Sequence, residues 1–356
     1  MESGTTELSL PGLGVTPEHS PQPHGERGRW IERGPSGKLM LFAGRSHPVL
    51  AQKIADQLNI ELGDVKLKTF ANGETYVRYK ESIRGADVFI VQTCHGRATN
   101  DYLWELQIMI QAAKLASANR ITAIMPWFPY SRQDKKSAPR EPITAKLLAD
   151  VLDAAGADRV LTMDLHAGQI QGFFRIPVDH MTALPLFARY YRETLGLHGE
   201  GVVAVSPDPG RAKMATKFAQ MLDADFALMN KQRPAHDVAS VTEVVGDVRG
   251  KVAIMSDDII VTGGTLVAGA QALLDAGATK VYACATHGLF PDDALTKLAE
   301  SELAGIAVAD TVPIPELNRP DKLSVLTISG ILAETIENVF ADESVSAIFA
   351  GENQLF

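Results

Sequence analysis

Residues 252–274 read VAIMSDDIIVTGGTLVAGAQALL: an apolar run, two adjacent carboxylates, the turn Thr262-Gly263-Gly264-Thr265, then a segment of helical period. A buried strand that ends in a glycine turn and feeds a helix is the repeating unit of a parallel α/β sheet. The same geometry aims the unpaired N–H groups of the first helical turn, together with two hydroxyls, at one point, which suits a phosphate. Asp257 and Asp258, at the lip, would accept hydrogen bonds from the vicinal hydroxyls of a ribose or face a divalent cation. The segment predicts a sugar-phosphate pocket; standing alone it reads equally as a solvated acidic turn beside a glycine-rich loop.

Working outward, short apolar runs recur at LMLFAG (39–44), VFIVQT (88–93), RITAIMPWF (120–128), RVLTMDL (159–165), GVVAVSP (201–207), KVYACAT (280–286) and GIAVAD (305–310). Most are separated by stretches of helical period such as LWELQIMIQAAKLA (103–116), so the expected fold is α/β with parallel sheets covered on both faces. AQKIADQL (51–58) resembles ATKFAQML (215–222), and VFIVQ (88–92) resembles VAIMS (252–256), both at an offset of 164 residues. Two registers in step suggest a duplicated domain; chance similarity of apolar patterns is the competing explanation. In a duplication, only the second copy carries a phosphate-type loop. Residues 1–37, with five Pro, seven Gly and no period, read as a disordered extension.

The 356 residues are 46% hydrophobic and 22% charged, enough for about two domains. Lys+Arg 34 against Asp+Glu 43 gives a net charge of −9, so no global basic field exists for nucleic acid or an anionic membrane. Cys94 and Cys284 lack the spacing of a disulfide framework or a zinc site. No run approaches 18 apolar residues and the N-terminus has no signal pattern, so a cytoplasmic protein is expected. Two common nucleotide loops fail. Before Gly37-Lys38, Glu32 stands where a GxxxxGK[ST] loop needs its first glycine, and no GxGxxG follows a strand.

Five further segments carry chemistry. Between Ser131 and Arg140, four cations (Arg132, Lys135, Lys136, Arg140) face one carboxylate, Asp134, a place for polyphosphate or simply a solvated loop. FANGETYVR (70–78) offers an aromatic, an amide and a carboxylate in a turn, suited to a base edge. RVLTMDLHAG sets Asp164 and His166, and SPDPGR sets Asp208, just past strand ends, where side chains of parallel sheets converge. Such a His is otherwise an ordinary structural group. Lys231, Gln232 and Arg233 fall in a polar stretch without apolar anchors, which reads as a mobile loop able to close over transferring phosphate.

Taken together and in order, FANGE, SIRGADVFIVQ, FPYSRQDKK, REPITAK, DLHAGQIQGFF, SPDPGR, KQRP and DDIIVTGGT resemble the ribose-phosphate diphosphokinase family over about residues 38–356. The resemblance implies two duplicated phosphoribosyltransferase-like domains, each a mainly parallel sheet flanked by helices. Their expected bounds are 38–183 for an ATP-side domain, with 340–356 returning to it, and 184–339 for a ribose-5-phosphate domain. It implies transfer of the diphosphoryl group of ATP to the anomeric hydroxyl of ribose 5-phosphate, with Mg²⁺ as cofactor. Residue by residue, it places ATP on Phe70, Asn72, Glu74, Arg132 and Gln133, and Mg²⁺ on His166 and Asp208. Ribose 5-phosphate falls on Asp257, Asp258, Val261, Thr262, Gly263, Gly264 and Thr265, and catalytic cations are Lys231 and Arg233. Members of the phosphate-activated class are hexamers regulated by phosphate and ADP, and Ser82, Arg84, Gln171, Ser344 and Ser346 resemble that second anion site. One departure is Val261, where many members have Asp. A phosphoribosyltransferase that would use the same pocket, or a non-catalytic regulatory paralogue, are the alternatives.

Overall fold

The computed structural model describes residues 31–33, 37–232 and 241–346. In chain order the elements are β1 (Ile31–Arg33), β2 (Gly37–Ala43), α1 (Pro48–Gln57), β3 (Val65–Thr69), β4 (Thr75–Tyr79), β5 (Asp87–Val91), α2 (Thr99–Leu115), β6 (Arg120–Met125), α3 (Thr144–Ala155), β7 (Arg159–Met163), β8 (Val178–Met181) and α4 (Leu184–Arg189). The second half continues with β9 (Val202–Ser206), α5 (Ala212–Met221), β10 (Asp225–Gln232), β11 (Val241–Val245), β12 (Val252–Ile260), α6 (Gly264–Asp275), β13 (Lys280–Gly288), α7 (Ala294–Glu300), β14 (Gly305–Ala309), β15 (Leu323–Leu326) and α8 (Ser329–Ala341).

The first half holds five parallel strands in the order β2-β5-β6-β7-β8 and the second six, β10-β9-β12-β13-β14-β15, each with one antiparallel strand at an outer edge, β1 and β11. The offset of 164 residues seen in the sequence carries α1 (Pro48–Gln57) onto α5 (Ala212–Met221), end to end. The copies differ between that helix and the next core strand. In the first half β3 and β4 form a separate hairpin; in the second β10 joins the sheet beside β9 and β11 pairs on its edge.

Alternating strand residues sort the core into three clusters. Met40, Val88, Ile121 and Val160 pack under α2 and α3, and Val203, Ala253, Val281 and Ile306 under α6 and α7. The other faces, Leu39, Leu41 and Phe89 from one sheet and Ala204, Ile254 and Ala307 from the other, share a single cluster with α1, α4, α5 and α8 between them. The two halves therefore lie against a common helical layer. Ion pairs and hydrogen bonds cross it: Lys53 Nζ meets Asp310 Oδ2 at 3.2 Å, and His47 Nε2 meets the Asp310 carbonyl at 3.0 Å.

Two expected boundaries move. Ile31–Arg33, placed in the disordered extension, pairs with Gly37–Leu39; residues 1–30 and 34–36 lie outside the described residues. The C-terminal return begins with α8 rather than at residue 340: its apolar stripe (Ile331, Leu332, Ile336) packs in the shared cluster with α1, and Arg120 binds Asp342 just past its end.

Candidate active site

The carboxyl ends of both sheets open on one cleft, lined by Asp164, Leu165, Gly210, Arg211, Lys213, Met214 and Asp258. In the second half, after β12, Gly263 takes φ +76°, a left-handed conformation open to glycine, and a Cβ there would stand 2.9 Å from Leu298 Cδ2. That turn starts α6 with no side-chain cap. The N–H groups of Gly264, Thr265 and Leu266 thus have no intrahelical acceptor and face outward beside exposed Thr262 and Thr265. A Cβ at Gly264 would meet Thr262 Oγ1 at 3.9 Å, an ordinary contact. Strand β12 runs two residues farther than the acidic pair, so Asp257 and Asp258 are strand residues rather than part of the turn; Val261 is half-buried between them and Thr262.

His166, Arg211 and Asp258 come together from three segments. Asp258, whose side chain is 3% exposed, has its Oδ2 2.7 Å from His166 Nδ1 and 2.6 Å from Arg211 Nη2. Arg211 Nη2 also donates to the His166 carbonyl at 3.0 Å, and its Nε lies 3.9 Å from Asp257 Oδ1. Burial opposes ionisation of Asp258, but the hydrogen bond with His166 and the Arg211 guanidinium outweigh it and hold this carboxyl below the usual range. Burial and the adjacent Asp258 push Asp257 the other way. Asp208 is exposed three residues before Arg211, its carbonyl bound by Ser206 Oγ at 2.7 Å. Arg211 was visible within SPDPGR but carried no role by pattern alone, since nothing in sequence joins it to residues 166 and 258.

Beneath His166, Asp164 is fully enclosed. Its Oδ2 accepts from Ala183 N at 2.8 Å and from Thr286 Oγ1, across the two halves, at 2.6 Å. The His287 ring bridges the same place, with Nε2 3.1 Å from the Met163 carbonyl and Nδ1 2.9 Å from Thr311 Oγ1. Asp164 adopts φ +31°, and these bonds hold that turn.

The ATP-side residues occupy two places. Phe70, Asn72 and Glu74 form the tip of the β3–β4 hairpin, closed by Phe70 N to Glu74 O (2.8 Å) and Glu74 N to Asn72 Oδ1 (3.3 Å). The Phe70 ring is exposed, with Lys68 Nζ 5.4 Å from its centroid. Arg132 and Gln133 lie in the loop after β6, where Thr144 Oγ1 donates to Gln133 Oε1 at 2.6 Å and Arg132 stays exposed. No contact joins the hairpin tip to this loop among the described residues. Lys231, expected on a mobile loop, lies in β10 opposite Thr242; Arg233 lies outside the described residues.

The five residues expected to form a second anion site also divide. Arg84 binds Ser117 Oγ at 3.3 Å and Arg120 binds Asp342, which gathers Ser82, Arg84 and the segment holding Ser344 and Ser346 around the amino end of β6. Gln171 lies at the opposite, carboxyl end beside His180 Nδ1 (3.3 Å), so these residues make no single site within one chain.

Two parallel α/β halves, a buried His–Asp–Arg cluster at their strand ends and an uncapped glycine-led helix directly after the strand that holds the carboxylate define an enzyme class that handles a phosphorylated sugar. The chain matches the N-terminal domain of ribose phosphate pyrophosphokinase over residues 39–156 and the phosphoribosyl synthetase-associated domain over residues 227–350. It is 48% identical over 315 residues to the ribose-phosphate pyrophosphokinase of Caldanaerobacter subterraneus, covering 88% of this chain and 98% of that one. To the Clostridium perfringens protein of the same name it is 47% identical over 315 residues, with the same coverage. The crystal structure of phosphoribosylpyrophosphate synthetase from Mycobacterium smegmatis superposes with a TM-score of 0.80 at 46% identity, over 85% of this chain and 99% of that one. This chain belongs to the ribose-phosphate pyrophosphokinase family.

Proposed function

We propose that this chain transfers the β,γ-diphosphoryl group of ATP, as one unit, to the anomeric hydroxyl of ribose 5-phosphate, giving 5-phosphoribosyl 1-diphosphate and AMP. The bond from the anomeric oxygen to Pβ forms as the bond from Pβ to the α,β-bridging oxygen breaks. AMP leaves with that oxygen, and the hydroxyl proton passes to solvent. The observation that carries this reading is the buried cluster of His166, Arg211 and Asp258, with Asp258 on the strand that leads into the uncapped start of α6.

The 5-phosphate would sit on the N–H groups of Gly264, Thr265 and Leu266 and the hydroxyls of Thr262 and Thr265, a helix-terminus anion site. Asp257 would accept from the ribose hydroxyls. Arg132 and Gln133, with Lys135, Lys136 and Arg140, would hold the triphosphate, and Phe70, Asn72 and Glu74 would take the adenine. Lys231 and Arg233 would neutralise charge on the transferring group. Such a reaction asks little covalent help of the protein; positioning and electrostatics supply most of the rate.

The donor set fits Mg²⁺. This ion favours one or two protein ligands completed by water and substrate phosphate, and among the described residues no three acidic, His or Cys side chains form a closed cage. His166 and Asp208 would hold it. When bound, the ion supplies charge neutralisation to the triphosphate oxygens. We further propose a homo-oligomer, supported by Trp104, 65% exposed, beside a groove lined by Gln107, Ile108 and Val151 where the buried Gln107 amide has no partner among the described residues. Regulation by phosphate and ADP would then fall where Ser82, Arg84, Ser344 and Ser346 of one copy meet Gln171 of another, and a flat response of activity to added phosphate would remove it.

The decisive experiment mixes the protein with Mg²⁺, ATP and ribose 5-phosphate and resolves the products. Sugar-dependent AMP is expected. ADP instead, or AMP formed equally well without sugar, would overturn the assignment.

A further inference from the structure

His166 raises a question that hydrogen counting answers. Its Nδ1 lies 2.7 Å from Asp258 Oδ2 and 2.8 Å from Arg211 Nη2. Three close atoms cannot all be paired: if Nδ1 carries a proton it donates to the carboxylate and meets the guanidinium as a second donor, and if it is bare the reverse holds. Nη2 bears two hydrogens. Both have oxygen acceptors, Asp258 Oδ2 at 2.6 Å and the His166 carbonyl at 3.0 Å, so none remains for the ring. The carboxylate, by contrast, is nearly enclosed and accepts a charge-assisted bond wherever a donor is offered. The proton is thereby assigned to Nδ1, which leaves Nε2 with its lone pair free, and among the described residues Nε2 has no partner.

We propose that Arg211 and Asp258 act as a positioning couple that fixes His166 as its Nδ1–H tautomer and so presents Nε2 as a neutral donor toward a divalent cation. This rests on His166 being a cation ligand, as proposed above. It gives Asp258 a task other than binding ribose hydroxyls: its Oδ2 is committed to the ring and the guanidinium, and only Asp257, less enclosed, remains for the sugar. It gives Arg211, from the start of α5, the task of holding the Asp258 carboxylate in place while its second hydrogen bond pins the turn that carries His166. A carboxylate that orients a ligating imidazole from behind is worth about 10–100-fold in metal affinity.

The couple is tested on the cation-free protein labelled with ¹⁵N in histidine, the His166 signal being assigned from His166→Ala. Long-range ¹H–¹⁵N spectra should show the Nδ1–H tautomer in the unaltered chain. Asp258→Asn should shift the ring toward Nε2–H, and Arg211→Lys, whose ammonium can donate to both oxygens, should retain the original pattern. In parallel, Mn²⁺ titrations followed by electron paramagnetic resonance should give binding about tenfold or more weaker in Asp258→Asn than in the unaltered chain. An Nε2–H ring in the unaltered protein would overturn the couple without any variant having to fold. Mn²⁺ binding untouched by His166→Ala would instead overturn the reading of His166 as a ligand, leaving the tautomer result standing.

Discussion

Val261 is half-buried between the acidic pair and the glycine turn, and its side chain offers neither charge nor hydrogen bond where the family resemblance leads one to expect a carboxylate. Because main-chain amides would grip the phosphate, Val261→Asp should change KM for ribose 5-phosphate by less than about tenfold, ~1.4 kcal/mol. A rise of many decades in kcat, in steady-state assays, would mark this chain as a crippled paralogue. A second residue-scale expectation concerns His180, buried, with Leu165 N donating to its Nε2 at 2.7 Å. Burial, and then the nearby His287, lower its pKa to about 3. The neutral ring is favoured in the fold, so the unfolded chain takes up the proton first as pH falls. The stability this group confers is complete above about pH 6.5 and is lost toward pH 3, at about 1.4 kcal/mol per pH unit. His180→Gln should therefore lose stability less steeply on acidification, and its urea-unfolding free energies should converge on those of the unaltered chain from pH 7 to pH 4. Parallel curves would refute the assignment. At this scale the sequence displayed the candidates, His166, Asp257 and Asp258, but not their pairings. Asp257 and Asp258 look interchangeable as letters, and only the packing of α5 and the turn after β7 commits one of them to Arg211 and His166.

The start of α6 was legible as an element because strand, glycine turn and helix are contiguous, so local chemistry sets the geometry. Gly263→Ala should raise KM for ribose 5-phosphate and destabilise the protein by about 1–3 kcal/mol, since a Cβ would meet Leu298 while the left-handed backbone is itself strained. Adding Leu298→Ala should relieve the clash but not the backbone strain, and a fluorescence melt that recovers only in part would agree. Full activity in Gly263→Ala would place the phosphate elsewhere. The turn of FANGE was likewise readable, and it forms the β3–β4 tip. Strand β10 was not. Its end, Asn-Lys-Gln, has the polarity of a loop, and it is a strand because β11, the next element, satisfies its backbone, while β9 pairs only with the earlier residues 225–228. A pairing partner beyond the local stretch overrode composition there.

At the scale of the molecule, each half has a cluster of its own and the two share a third. Leu39, Phe89, Ala204, Ile254 and Leu332 belong to one cluster, so a chain ending at residue 183 would expose an apolar face that α4, α5 and α8 cover in the whole. It should fail to give a cooperative melt by circular dichroism, whereas the full chain should unfold in one calorimetric transition. Thr286→Val removes the donor from the second half to buried Asp164 and should cost about 1–3 kcal/mol by urea unfolding. A neutral effect would show that Asp164 is satisfied without it. What the sequence determined by itself was everything carried by short-range chemistry: the α/β alternation, the duplication at a fixed offset, and the glycine turn that opens α6. Tertiary structure alone decided which face of each sheet would be shared, that α8 returns to α1, and that Arg211, Asp258 and His166 form one buried cluster. The reason is physical: backbone propensity and apolar period act over a few residues, whereas a charge becomes committed to a partner only when burial strips both of water, and that happens only where distant segments close on one another.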